Sequence, residues 1–149
     1  MCIRDSSYDR VYLRSVRISE TEHYSQETEG IRVTVFPEYL EESSDPNDSI
    51  FAFCYTIIIE NVTGVDIQLL ERHWKIFSGG AHLAEVVGPG VLGEQPIIEP
   101  DQAFEYTSTT VIQDPSGKME GAYTFRTSNG KFLEVPIPSF ELLYPVIIH

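Results

Sequence analysis

The sequence predicts an all-β sandwich, and three observations carry that reading. From Gly30 onward, apolar and polar side chains alternate in short runs, the period of two that a half-buried strand imposes. Clusters of Gly, Pro, Asn, Asp and Ser interrupt those runs at close intervals. No segment after Gly30 carries a helical period. About seven or more short strands at this spacing are the signature of two packed antiparallel sheets.

The elements follow in order. Residues 1–29 stand apart as an N-terminal extension, polar, with four arginines early and four glutamates later. Met1 to Ser7 reads as a leader or a sequence-assembly artefact, so the extension is expected to be mobile or partly non-native. Val11, Leu13, Val16 and Ile18 leave a short extra strand open, because their spacing breaks after Leu13. Ser19 to Gly30 reads as mobile. The domain itself is expected over residues 30–145.

Ile31, Val33 and Val35 alternate with Arg32 and Thr34 and predict a half-buried strand ending near Pro37. Asp45-Pro46-Asn47-Asp48 is a turn. Phe51 to Glu60 is the strongest strand, and its two apolar faces place it centrally. Asn61 to Gly64 turns the chain into Ile67 to Phe77. There Leu70, Trp74 and Ile76 are expected to face the core, Glu71, His73 and Lys75 the other side, with a bulge at Gln68. Ser78-Gly79-Gly80 closes a hairpin, and Leu83 to Val87 is a short strand. Phe104 to Ile112, Lys118 to Thr127 and Phe132 to Ile137 complete the set. Ser128-Asn129-Gly130 supplies the positive φ angles of a type I′ hairpin turn between the last two.

Charge excludes some functions. Ten basic residues face twenty-three acidic ones, a net charge of −13. Such a surface repels nucleic-acid phosphates and anionic lipid, so neither nucleic acid nor membrane is expected as a partner. No apolar run approaches the roughly 18 residues of a membrane span. The N-terminus lacks a charged-then-apolar secretory layout. Of the two cysteines, Cys54 sits in an apolar strand and reads as a small buried hydrophobe, and no C-x-x-C is present. A cytoplasmic protein is expected.

Gly88-Pro89-Gly90-Val91-Leu92-Gly93 matches G-x-G-x-x-G, the turn that holds a dinucleotide pyrophosphate at a helix N-terminus. Here Pro96 and a β-type run follow instead of a helix. Pro89 lacks a backbone donor, and Glu94 adds negative charge. No cofactor is therefore expected, and the glycines read as a rigid connection. None of the four histidines forms H-x-x-x-H or clusters with cysteine, so zinc is not signalled. Glu71, His73 and Glu94 are weak candidates for a divalent cation, against the plainer reading of a solvated strand face. No G-x-S-x-G elbow appears, so no catalytic residue is assigned.

Several segments resemble the ApaG domain family: F-A-F-C-Y-T-I-I-I-E-N at Phe51 to Asn61, Q-L-L-E-R-H-W-K-I at Gln68 to Ile76, and V-V-G-P-G-V-L-G-E-Q-P at Val86 to Pro96. G-K-M-E-G-A-Y at Gly117 to Tyr123 and V-P-I-P-S-F at Val135 to Phe140 follow in the same order. The resemblance runs from about Ile31 to Tyr144; Pro89 departs from the small or charged residue usual at its position. It implies an immunoglobulin-like, fibronectin type III-like sandwich. It also implies an association with cobalt and magnesium resistance, and protein binding in relatives within larger eukaryotic proteins.

The combined expectation is a non-enzymatic module that binds a protein partner through a sheet face or the loop from Gly88 to Pro96. Arg72, His73, Gly88, Gly90, Gly93, Glu94 and Gln95 are the candidate binding residues. The alternative is a small-ligand domain for a divalent metal or a phosphorylated, nucleotide-like ligand at the same loop. A homodimer by edge pairing is a third reading. A pocket shared by Arg72, His73 and the loop would favour the ligand domain. An internal Arg72–Glu94 ion pair would favour the protein-binding module.

Overall fold

The computed structural model describes residues 11–13 and 23–145. Within them the chain forms a β-sandwich of ten strands. These are β1 (Val11–Leu13), β2 (Tyr24–Thr28), β3 (Ile31–Tyr39), β4 (Phe51–Asn61), β5 (Ile67–Ser78), β6 (Ala81–Pro89), β7 (Ile97–Ile98), β8 (Gln102–Ile112), β9 (Ser116–Thr127) and β10 (Phe132–Leu143). One sheet has the order β1-β8-β4-β3-β2 and the other β10-β9-β5-β6, with β7 also pairing β5. The pairings are antiparallel.

The core fills the space between the sheets. Ile31, Val33 and Val35 of β3, Phe53, Ile57 and Ile59 of β4, and Phe104 of β8 come from one sheet. Leu69, Trp74, Tyr123, Phe125, Val135 and Phe140 come from the other. Each large apolar side chain so buried contributes roughly 1.5–3 kcal/mol relative to exposure. Trp74 meets Phe140 of its own sheet edge to face at 5.9 Å and Tyr55 of the facing sheet at 5.4 Å, and the second contact ties the two sheets across the middle. As its two apolar faces require, β4 is central, flanked by β3 and β8.

Several local expectations change. The stretch read as mobile contains β2, paired to β3 through the turn at Glu29 and Gly30. Its polar residues form an exposed edge strand, so apolar alternation could not mark it. Arg32 fastens it by reaching Glu27 on β2 at 2.9 Å and Glu60 on β4 at 2.8 Å. Val11 and Leu13 belong to β1 on the β8 edge, while Val16 and Ile18 lie outside the described residues, as does Met1 to Ser7. The β5 bulge falls between Leu69 and Glu71 rather than at Gln68. It makes Leu70 the extra residue and sends Leu69, 0% exposed, into the core in its place. β10 continues past Ile137 to Leu143, its register shifting across Pro138 and Ser139. Cys54 is buried, as expected. Among the described residues no helix is long and apolar enough to cross a membrane.

Candidate functional site

The glycine segment lies on the border of the second sheet. Glu71 of β5 pairs with Pro89, and Gln68 pairs with Ile97. Both β6 and β7 therefore run along the same side of β5. Three steps on β5 correspond to eight on the border strand, so five residues are looped out. The glycines sit where that excursion leaves and turns.

Its tip is a tight turn. Val91 N–H donates to the Glu94 carbonyl and Glu94 N–H to the Val91 carbonyl, both at 2.9 Å. The two central residues, Leu92 and Gly93, have φ of 50° and 79°, the geometry of a type I′ turn. Gly90, at φ 56°, is required for another reason: a Cβ there would lie 1.9 Å from the Glu94 carbonyl oxygen. Val91, 1% exposed, pins the excursion to the core.

Side chains of β5 hold the remaining carbonyls. Arg72 donates from Nη1 to Gly90 O at 2.9 Å and to Pro89 O at 3.2 Å. Gln68 donates to Gln95 O at 3.0 Å, and Gln95 donates to Leu70 O at 2.8 Å. Gly90 N–H also donates to Leu70 O at 2.8 Å. The N–H groups of Gly90, Val91 and Glu94 are thus committed to carbonyls of the protein itself. A phosphate cradle needs such donors free and convergent, and here they close a turn instead.

Arg72 and His73 point to opposite sides of β5. Arg72 shares the parity of Trp74 and Ile76 and lies over Gly88, with Nη1 3.2 Å from where a Cβ at residue 88 would be. Its charge reaches two interior phenols. Burial raises Tyr55 above its ordinary value, against a hydrogen bond with Ser108 and the Arg72 charge. Burial, with the neighbouring Tyr106, pushes Tyr123 well up, again against Arg72. Tyr106 and Tyr123 join hydroxyl to hydroxyl at 2.5 Å between the sheets.

His73 instead faces outward and bonds the Glu85 carboxylate of β6. That contact, ahead of the nearby Lys75 and His82 charges, holds the Glu85 carboxyl below the usual carboxylate range. His73 lines a shallow concavity of about 340 Å³ with Lys75, Glu120, Gly121, Ala122, Pro136 and Ile137, a set that contains no residue of the glycine loop. So neither discriminating arrangement occurs: Arg72 pairs with loop carbonyls rather than Glu94, and His73 does not join it. Glu71 and His73 share the outer face while Glu94 belongs to the turn. Among the described residues no three His, Cys, Asp or Glu side chains are grouped to hold a metal ion.

The sequence model of the ApaG domain matches residues 41–127, more than half of the chain. The chain belongs to the ApaG family. It is 47% identical over 122 residues to Protein ApaG of Rhodospirillum centenum, covering 82% of this chain and 94% of the relative. It is 43% identical over 125 residues to Protein ApaG of Shewanella halifaxensis, covering 84% of this chain and 99% of the relative. A crystal structure of a Bordetella pertussis protein termed ApaA superposes with a TM-score of 0.75 at 38% identity, covering 84% of this chain and 97% of that one.

Two features of this ApaG domain escaped the sequence reading. Glu85 is the partner of His73, and its signal was its outward register opposite Lys75. Leu92, an apolar residue 46% exposed in left-handed backbone, carried no signal, because a G-V-L-G tetrapeptide does not disclose which residues take positive φ.

Proposed function

We propose that this ApaG domain is a non-enzymatic binding module that recognises a protein partner along β6 and the adjoining turn. The observation that carries the reading is Leu92. Left-handed backbone costs a residue with a Cβ about 1–2 kcal/mol, and Asn or Gly would satisfy the same turn. The chain instead holds a large apolar side chain there, 46% exposed. Strain retained at an exposed position points to use at that position. Leu83, Val86 and Val87 of the adjoining β6 are exposed as well, at 36%, 36% and 61%. The role in cobalt and magnesium homeostasis that the family resemblance implies is exercised, in this reading, through the partner.

Thermal melts against Co²⁺, Mg²⁺ and nucleotides, each alone, test the reading. A ligand at a hundredfold its Kd adds about 2.7 kcal/mol, a rise of several degrees. The proposal expects a flat panel. A saturable rise that disappears in His73→Ala or Glu94→Ala would replace it with the small-ligand reading.

A further inference from the structure

We infer that β6 is an acceptor edge for strand addition, and that it takes an extended, basic segment of a partner protein. The inference rests on the protein-binding reading above and specifies its mode.

Among the described residues β6 pairs with β5 alone. All nine of its residues are exposed or half-exposed. The hydrogen-bond phase follows from one contact. Gly90 N–H bonds Leu70 O, and that pair continues the register of Glu71 with Pro89. Bonded and non-bonded pairs alternate in an antiparallel ladder. Gly88, Val86 and Ala84 therefore bond β5, while Val87 and Glu85 turn their N–H and C=O groups to the free side.

The opposite border of this sheet is treated differently. β10 carries Pro136 and Pro138 and packs against β2 and β3 of the other sheet. Prolines and cover are the usual means of blunting an edge. β6 has no lysine and meets proline only at its last residue. Its bulge beside Leu83, where the register with β5 shifts, confines regular pairing to the stretch from Ala84 onward.

Charge and register select the occupant. A second copy would have to pair β6 with β6 in the phase that uses Glu85 and Val87. The two-fold arrangements then set Glu85 opposite Glu85, Val87 or Pro89, and none gives the carboxylate a cation. Each copy also carries a net charge of −13. An antiparallel foreign strand can place valines opposite Val87 and Val86 and a lysine opposite Glu85. On its own sheet Glu85 has His73 and Lys75, and its free side is left for that lysine. Main-chain bonds give such a strand its affinity and alternate side chains its specificity.

The probe is a blocked peptide, Thr-Val-Val-Lys-Thr-Lys, with a neutral fluorophore, titrated with the full chain and read by anisotropy. A second peptide replaces both lysines by glutamate. The expected result is saturable binding of the lysine peptide and none of the glutamate peptide. Val87→Pro removes an edge donor without touching the β5 ladder and should weaken binding about tenfold or more, the worth of one or two hydrogen bonds. Val87→Lys, which keeps the backbone, should do the same, and thermal melts verify that both variants fold. Glu85→Lys should invert the preference between the peptides. Absence of binding, binding untouched by both Val87 variants, or a dimer in light scattering that Val87→Lys dissolves would each overturn the inference. Such failure beside a flat ligand panel leaves the protein-binding reading standing through Leu92 and the exposed side chains of β6, without strand addition. A responsive panel removes both.

Discussion

Arg72 donates to the Gly90 carbonyl at 2.9 Å, while its neighbour in the chain, His73, bonds Glu85 on the far side of the same strand. The pleat of β5 divides two residues that sequence alone invites one to group. Arg72 fixes the loop from the core side, and His73 ties β6 to β5 on the outer face. The R-H-W segment thus works as a fastening for the border strand and its turn.

Removing the Arg72 guanidinium releases two carbonyls at once. Hydrogen bonds to a charged donor are worth about 1.5–3 kcal/mol, so Arg72→Ala should lose stability of that order in urea denaturation. Arg72→Lys should recover only part, because one ammonium does not reproduce the planar donor set.

The glycines of the loop should differ sharply in tolerance. Gly90→Ala meets a carbonyl oxygen at 1.9 Å in left-handed backbone and should cost about 3 kcal/mol or more. Gly93→Ala has open space around its Cβ and should cost only the left-handed strain, about 1 kcal/mol. Equal losses in chemical denaturation would contradict the turn geometry.

Leu92→Asn should raise stability by about 0.5–1 kcal/mol, since Asn accepts positive φ and the half-exposed leucine gives up little burial. A gain in melting temperature checks this. A loss would mean that Leu92 packs into the fold and is not held out for a partner.

The His73–Glu85 contact has a defined pH sign. The Glu85 carboxyl is depressed in the fold, so the contact stabilises above the ordinary carboxylate range and is lost as pH falls through the depressed value. Carboxyl titration by NMR should show Glu85 with a low midpoint, returning toward the ordinary value in His73→Ala.

Tyr106 and Tyr123 should be coupled. Each Phe substitution deprives a buried hydroxyl of its 2.5 Å partner and should cost about 1–3 kcal/mol. The double variant should cost less than the sum, as a double-mutant cycle measures.

The fold was legible because its signals are local. The alternation of β4 and the two-faced apolar pattern that centres it survive unchanged. Ser128 to Gly130 does close a hairpin, but only Gly130 takes a positive φ, at 88°, so the connection is a three-residue loop and not the type I′ turn expected. β2 was missed because an exposed edge strand such as Y-S-Q-E-T has no buried face to impose a period. The Leu69–Leu70 choice failed because a bulge inverts side-chain direction without altering composition. At the site, Gly90 and Gly93 take left-handed backbone in a tight turn. Their reason, one looped-out turn in a border strand, depends on which strands flank β5, and no residue of the loop encodes that. The grouping of Arg72 with His73 failed for the opposite cause, adjacency in sequence against alternation in space.

In the proposed reading this domain presents the β6 edge and its turn to protein, and its glycine loop is closed to small anions and metals. A ¹⁵N correlation spectrum of the labelled full chain, recorded alone, with Mg²⁺-ATP, with Co²⁺ and with the lysine peptide, tests it most directly. The peptide should move the Glu85 and Val87 amides, while Mg²⁺-ATP and Co²⁺ should leave Gly88, Gly90, Gly93 and Glu94 in place. Saturable shifts or paramagnetic broadening centred on Gly90 to Glu94 with either small ligand, and none along β6 with the peptide, would contradict it.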